Sequence, residues 1–260
     1  MAKKIVIANW KMNLNTSQAS LLLHRLQERI RIRREVEIVL APSMLVLQPL
    51  SVQLDRRKFR LAAQNAYFQD SGAFTGEVSF TMLQDLVHYV IIGHSERRIY
   101  FNETLEVISK KVAACVRNGI SPILCVGETK QERKLGETKQ VLHDQIYTAL
   151  SELTSSEVAN LIIAYEPVWA ISTFGGEVAT PAQINRVMEF IRMEVEELYG
   201  PKAAKKLKII YGGSVDDKTA GGYLQMEQCS GVLVGSASLN YIKFAGIVDE
   251  AYRQSLSQPE

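Results

Sequence analysis

Glu166 follows the apolar run Leu161 to Ala164 and stands between Tyr165 and Pro167, with Trp169 close behind. Aromatic neighbours keep water from a carboxylate, and a partly desolvated carboxylate is a stronger base toward a carbon-bound proton. The proline biases Glu166 toward extended backbone, as at the end of a strand. The same pattern also fits a glutamate that is merely ion-paired there. His94 comes directly after Val90-Ile91-Ile92-Gly93 and opens the run Ser95-Glu96-Arg97-Arg98. An imidazole so placed can pass a proton or polarise a carbonyl, or can simply be satisfied by its polar neighbours. Asn9-Trp10-Lys11 follows the first apolar run, Ile5 to Ala8. It offers an amide and an ammonium to an anionic ligand, although most lysines after a strand are solvated surface charges.

Two small-residue turns could receive a phosphate. Gly212-Gly213-Ser214 and Gly235-Ser236-Ala237-Ser238 each follow an apolar run and lead into a short helical stretch, whose free backbone N–H groups can grip an anion. Tight turns without a ligand would read the same. Ser172 to Val178 contains Gly175 and Gly176 and ends at a helix start, which suits a mobile lid or a plain surface loop.

These residues need a scaffold that gathers strand ends. Short β-rich runs occur at Lys4 to Ala8, Val36 to Ala41, Arg60 to Gln64, Tyr89 to Ile92, Pro122 to Val126, Leu161 to Ala164, Lys208 to Tyr211 and Gly231 to Val234. Between them lie stretches with helical spacing, such as Leu22, Leu26 and Ile30, or Val107, Val112 and Val116, or Ile184, Val187, Ile191 and Val195. Asn102 before Glu103, and Thr180 before Pro181, read as helix caps. Eight alternating units predict a closed α/β (β/α)8 barrel of parallel strands with an outer ring of helices. An open doubly wound sheet fits less well, because no GxGxxG follows the first strand and no linker divides the chain. One domain over residues 1–260 is expected, with 254–260 as a frayed tail.

Composition narrows the chemistry. Of 260 residues, 47% are hydrophobic and 22% charged, which excludes disordered and collagen-like classes. A net charge of +2, from 30 basic and 28 acidic residues, gives no global field toward nucleic acid, so an anionic ligand must be held locally. The arginines from Arg25 to Arg34 are interleaved with Glu28 and followed by Glu35 and Glu37, as on a solvated helix end. No apolar run approaches a membrane span or a signal-peptide core, so a cytoplasmic protein without membrane or nucleic-acid partners is expected. Cys115, Cys125 and Cys229 read as buried free thiols, and His24, His88, His94 and His143 have no paired ligand spacing. No metal site is expected.

Together, Asn9-Trp10-Lys11, Gly93-His94-Ser95-Glu96-Arg97-Arg98, Ala164-Tyr165-Glu166-Pro167-Val168-Trp169-Ala170, Tyr211-Gly212-Gly213-Ser214-Val215 and Leu233-Val234-Gly235 closely resemble the triosephosphate isomerase family, over nearly the whole chain. The resemblance implies a TIM barrel that interconverts dihydroxyacetone phosphate and D-glyceraldehyde 3-phosphate through an enediolate, in glycolysis and gluconeogenesis. It implies Glu166 as the base and His94 as a neutral electrophile, a role for which this family is itself the reference case. By the same resemblance Lys11 and Asn9 stabilise oxyanion charge, and Glu96 and Ser95 support the site. The phosphate falls to Ser172, Ser214, Gly235 and Ser236, and no cofactor is implied. Gln64 to Tyr67 and Ser71 to Glu77 resemble the family's protruding loop after strand three, which implies a homodimer through Tyr67, Phe74, Thr75, Gly76 and Glu77. Tyr67, Phe68 and Phe74 would otherwise be an awkward apolar exposure.

The chain also departs from the family. Its lid reads Ala170-Ile171-Ser172-Thr173-Phe174-Gly175-Gly176-Glu177-Val178 before Ala179, two residues longer than usual, with Ser172 for a glycine and no lysine. Ser236 stands where a second glycine is usual. Retained proton transfer with altered lid kinetics or phosphate affinity is therefore expected. A Schiff-base aldolase would need a desolvated lysine at the sixth strand, where Glu166 stands. A non-catalytic binding barrel finds support only in the unusual lid.

Overall fold

A computed structural model of the chain describes residues 3–174, 176 and 179–257. Eight strands close into a barrel in chain order. They are β1 (Lys4–Asn9), β2 (Val36–Ala41), β3 (Phe59–Ala63), β4 (Tyr89–Ile92), β5 (Ser121–Val126), β6 (Ile162–Tyr165), β7 (Lys208–Tyr211) and β8 (Gly231–Val234). Every neighbouring pair is parallel, and β1 closes on β8 with Ile5 opposite Gly231. A Cβ at Gly231 would lie 1.9 Å from the Ile5 carbonyl oxygen, so the seam closes only with glycine there.

Strands buried on both faces must be apolar throughout, and alternation then divides them between two layers. Ile5, Ile7, Val39, Ile91, Ile123, Ile162, Ile210 and Leu233 fill the barrel interior. Val6, Ala8, Ile38, Leu40, Ile92, Leu124, Ile163 and Val232 belong to the larger core beneath the helices. The helix Pro181–Tyr199 turns Ile184, Ile191 and Val195 into that layer, and begins with the expected Thr180 cap, whose hydroxyl accepts from the Gln183 N–H. No helix of the described residues is long and apolar enough to cross a membrane.

Several boundaries differ from the sequence reading: β1 runs one residue further than predicted, β5 begins one residue earlier and β6 is shifted one residue later. Three further differences have a physical cause in the contacts. β3 begins and ends one residue earlier than the predicted Arg60 to Gln64, because the Gln64 amide leaves the ladder to donate to the Lys11 and Ala41 carbonyls, each at 2.9 Å. The helix Leu105–Arg117 is capped by Thr104, not Asn102: the Thr104 hydroxyl accepts from Val107 N–H. Asn102 instead takes a left-handed φ of 50°, and Glu103 turns inward to the Arg97 guanidinium and the Lys111 ammonium. Residues 254–257, expected as part of a frayed tail, continue the helix Tyr241–Ser257. Ser255 is buried on its inner side with Ala251 and Val248, and its hydroxyl donates to the Tyr252 carbonyl. Residues 258–260 lie outside the described residues.

Candidate active site

The C-terminal strand ends carry the polar residues, and backbone geometry aims them. Asn9 closes β1, and its Oδ1 accepts the Lys11 N–H at 3.1 Å. Lys11 has a left-handed φ of 52°, a cost for a residue with a side chain, offset where neighbours fix the turn. Asn9 and Gln64 fix it from both sides. The Lys11 ammonium thereby reaches the mouth and donates to Glu96 Oε1 at 2.6 Å. Both side chains stay about a quarter exposed (25% and 23%), so this ion pair orients more than it stabilises.

Gly93, at a φ of 71°, turns the chain out of β4 so that His94 can cap the short helix Ser95–Tyr100. His94 Nδ1 accepts the Glu96 N–H at 3.3 Å, which leaves the proton of a neutral imidazole on Nε2. That nitrogen faces Glu166 Oε1 at 3.3 Å. Arg98 secures the turn from behind, donating to the Gly93 carbonyl at 2.7 Å and the Cys125 carbonyl at 2.9 Å.

Glu166 leaves β6 with its N–H on the Val126 carbonyl at 2.7 Å. Two glycines make room for it: a Cβ at Gly127 would lie 1.9 Å from the Glu166 carbonyl oxygen, and one at Gly212 would lie 2.7 Å from Glu166 Cγ. The carboxylate is 2% exposed. Oε2 accepts the Ser95 N–H at 3.2 Å, whereas Oε1 has no aligned hydrogen bond despite its closeness to His94. A buried carboxylate oxygen without an aligned donor is costly and marks a site built for something other than stability. Beneath it, burial and then the Glu166 charge push the Cys125 thiol well up, so this cysteine stays protonated.

Tyr165 and Trp169, on either side, both donate to the buried Glu128. The phenol reaches Oε1 at 3.2 Å and Oε2 at 3.1 Å, and the indole reaches Oε1 at 2.8 Å. Burial raises the Glu128 carboxyl from its ordinary value even against these donors. Ser214 joins the β7 turn to this region, its hydroxyl donating to the Ala170 carbonyl at 2.7 Å. Gly213 faces the Tyr211 hydroxyl so closely that a Cβ would stand 2.2 Å from it. Gly235 is different: a Cβ there would meet only Lys11, at 3.6 Å or more, so internal packing does not demand glycine and the space above the turn stays open. Ser236 begins the short 3-10 turn Ser236–Leu239.

A cavity of about 680 Å³ brings together Asn9, Lys11, His94, Glu166, Ser214, Gly235 and Ser236. Ser95 and Glu96 touch it through their bonds to Glu166, His94 and Lys11. Ser172 lies in the 3-10 segment Ser172–Phe174 above, where its neighbours Ile171 and Thr173 line the cavity. Of the remaining lid residues, Gly175, Glu177 and Val178 fall outside the described residues. The loop residues Tyr67, Phe74, Thr75, Gly76 and Glu77 do not line the cavity; Tyr67 packs on Phe68 and Phe74 at ring distances of 4.4 and 4.8 Å, and Phe74 remains 40% exposed. Sequence reasoning missed Gln64, Arg98, Gly127 and Glu128 as supports of the site. Among the described residues, no three His, Cys, Asp or Glu side chains group so as to hold a metal ion.

A closed parallel eight-stranded barrel with its polar cavity at the C-terminal strand ends defines a (β/α)8-barrel protein of the kind that hosts many enzymes. The particular family follows from comparison: the chain belongs to the triosephosphate isomerase family, whose sequence profile matches residues 4–251. It is similar to the triosephosphate isomerase of Clostridium botulinum (strain Okra / Type B1), with 42% identity over 250 residues that cover 96% of this chain and 100% of the relative. The triosephosphate isomerase of Thermodesulfovibrio yellowstonii is 44% identical over 252 residues, covering 95% of this chain and 99% of the relative. That of Clostridium tetani is 42% identical over 250 residues, with 96% and 97% covered.

Proposed function

We propose that this protein is a triose-phosphate isomerase that moves a proton between adjacent carbons of dihydroxyacetone phosphate and D-glyceraldehyde 3-phosphate through an enediolate. The observation that carries the reading is the buried Glu166 carboxylate, with Oε1 lacking an aligned donor and lying 3.3 Å from His94 Nε2. Glu166 takes the proton from one carbon and returns it to the next. His94 donates from Nε2 to the oxygen that gains charge, and its Nδ1 bond to the Glu96 N–H supports that orientation. Lys11 supplies positive charge beside the developing oxyanion and Asn9 orients it, both held before reaction begins, which is where electrostatic catalysis is most effective. Glu96 and Ser95 are positioning residues.

The phosphate is assigned to backbone N–H groups around Ser214, Gly235 and Ser236, with Ser172 approaching from the lid. The open space above Gly235 and the cation of Lys11 below it support this end of the cavity for the dianion. The protein works without a cofactor, as one domain spanning residues 1–260, in the cytoplasm. It acts as a homodimer in which the loop bearing Tyr67, Phe74, Thr75, Gly76 and Glu77 docks on a second copy; the exposed Phe74 supports that contact. Light scattering that gave a monomer at micromolar concentration would remove the dimer from this reading.

Glyceraldehyde 3-phosphate turnover by the unmodified protein and by Glu166→Gln tests the reaction. The substitution keeps the shape and removes the base, so kcat falls by about 10²- to 10⁴-fold. Equal rates for the two proteins would refute the assignment of Glu166.

A further inference from the structure

A second cavity, of about 300 Å³, opens on the other side of Trp169, between the helices Lys130–Leu135, Thr138–Leu150 and Pro181–Tyr199. It takes no part in the mechanism above. Its walls are apolar, with Trp169 and Phe190 as flat faces and Ile184 and Val187 between them. Its rim is cationic: Arg133, Lys139 and Arg186 all line it, and among the described residues none of the three has a carboxylate within ion-pair distance. Two of these cations already lie on the rings. The Arg133 guanidinium stands 3.5 Å from the centre of Trp169, and the Lys139 ammonium 5.4 Å from the centre of Phe190.

The one acid among the lining residues feels the Arg133 charge but makes no ion pair with any of the three. Glu128 forms the floor, 1% exposed, with its oxygens occupied by the Tyr165 phenol and the Trp169 indole, and burial works against its charge. An apolar slot with aromatic faces beneath three cations that have no ion-pair partner among the described residues is complementary to a flat hydrophobic body that ends in a negative group. Aromatic carboxylates, aromatic sulfonates and aryl phosphate monoesters share that chemistry. Glu128 also ties down the residues on either side of Glu166 in the chain, so an occupant would bear directly on the segment that carries the base.

We propose that this cavity is a binding site for a small aromatic anion, separate from the site for the phosphate substrate. The probe is anilinonaphthalene sulfonate, titrated calorimetrically and by the fluorescence of Trp169; Trp10, the protein's other tryptophan, is fully buried elsewhere in the core. The expected result is saturable binding of one probe per chain that inorganic phosphate does not displace. Lys139→Gln/Arg186→Gln should weaken that binding at least tenfold, and Val187→Trp, which fills the slot, should abolish it. Neither variant touches the catalytic residues, so retained isomerase turnover shows that each is folded. If Val187→Trp fails to fold, the charge variant decides alone. Binding of unchanged strength in the charge variant, displacement by phosphate, or no saturable binding each overturns the proposal.

Discussion

Glu166 and the lid leave the same strand end, yet they are built in opposite ways. The base is held by backbone: its N–H is paired with Val126, and its main chain and side chain press against two glycines just past the ends of the neighbouring strands β5 and β7. Among the described residues, the segment from Ser172 is tied at its root, where Ala170 meets the Ser214 hydroxyl, by the Gly176 N–H on the Ile171 carbonyl at 3.1 Å, and by a ring contact, Phe174 with Tyr100 at 5.7 Å. A position defined by backbone contact tolerates almost no change. One defined by a surface ring contact tolerates much, and the departures that the resemblance implies, Ser236 apart, fall in the lid. The chemistry is therefore expected to be conservative and the covering segment variable.

The sharpest way to break that contrast is to intrude on the base without removing it. Gly212→Ala places a methyl 2.7 Å from Glu166 Cγ. The carboxylate must shift by an amount on the order of 1 Å, which costs about 10²-fold in kcat when a reacting group is misplaced. Steady-state kinetics with unchanged thermal unfolding would locate the loss in geometry; wild-type kcat in this variant would show that Glu166 is not held as described.

Next in size is the support behind His94. Arg98→Met keeps the bulk and strands the Gly93 and Cys125 carbonyls, which the guanidinium satisfies at 2.7 and 2.9 Å. Leaving a buried acceptor unpaired costs about 1–3 kcal/mol each. Part of that is returned, because burial already works against the guanidinium charge. A urea midpoint shifted by less than 0.5 kcal/mol-equivalent, roughly the scale of a neutral surface change, would count against this role.

What could be read from the sequence follows the same division. Lys11, His94 and Glu166 were legible as residues of the cavity because each stands shortly after an apolar run, and a parallel barrel carries all such positions to one end. Gln64, Arg98 and Gly127 were not, because their partners are backbone atoms distant in the chain, and a carbonyl leaves no mark in a sequence. Thr104 was missed as a cap because Asn102 also has a cap's chemistry. Only the inward turn of Glu103 onto Lys111 distinguishes the two, and it depends on tertiary contact.

That buried pair, which does not line the cavity, gives a pH test. Burial raises the Glu103 carboxyl, but Lys111 and then Arg97 outweigh it and hold it below its ordinary value of 4.5, while burial lowers the Lys111 ammonium. A carboxyl depressed in the folded state contributes stability that is present above its unfolded value and lost as pH falls through the folded one. The protein should therefore lose stability as pH drops below about 4.5, the ordinary carboxylate value. Glu103→Gln should be less stable at neutral pH and should show a flatter acid limb. Parallel acid limbs for the two proteins, followed by thermal unfolding between pH 3 and 7, would exclude Glu103 as the group responsible.

The smallest effect expected is at the lid contact. Tyr100 is 59% exposed and packs on Phe174 in a tilted pair, an arrangement worth about 0.5–1.5 kcal/mol beyond area burial. Removing it with Tyr100→Ala releases one anchor of the covering segment but leaves the Val126, Gly127 and Gly212 contacts of Glu166 intact. The comparison then predicts a change confined to substrate capture and release: KM and viscosity dependence shift by about twofold to tenfold, the range that this energy spans. The isotope effect on the transferred proton stays that of the parent. A changed isotope effect with an unchanged KM would reverse the picture, making the ring contact part of what positions the base.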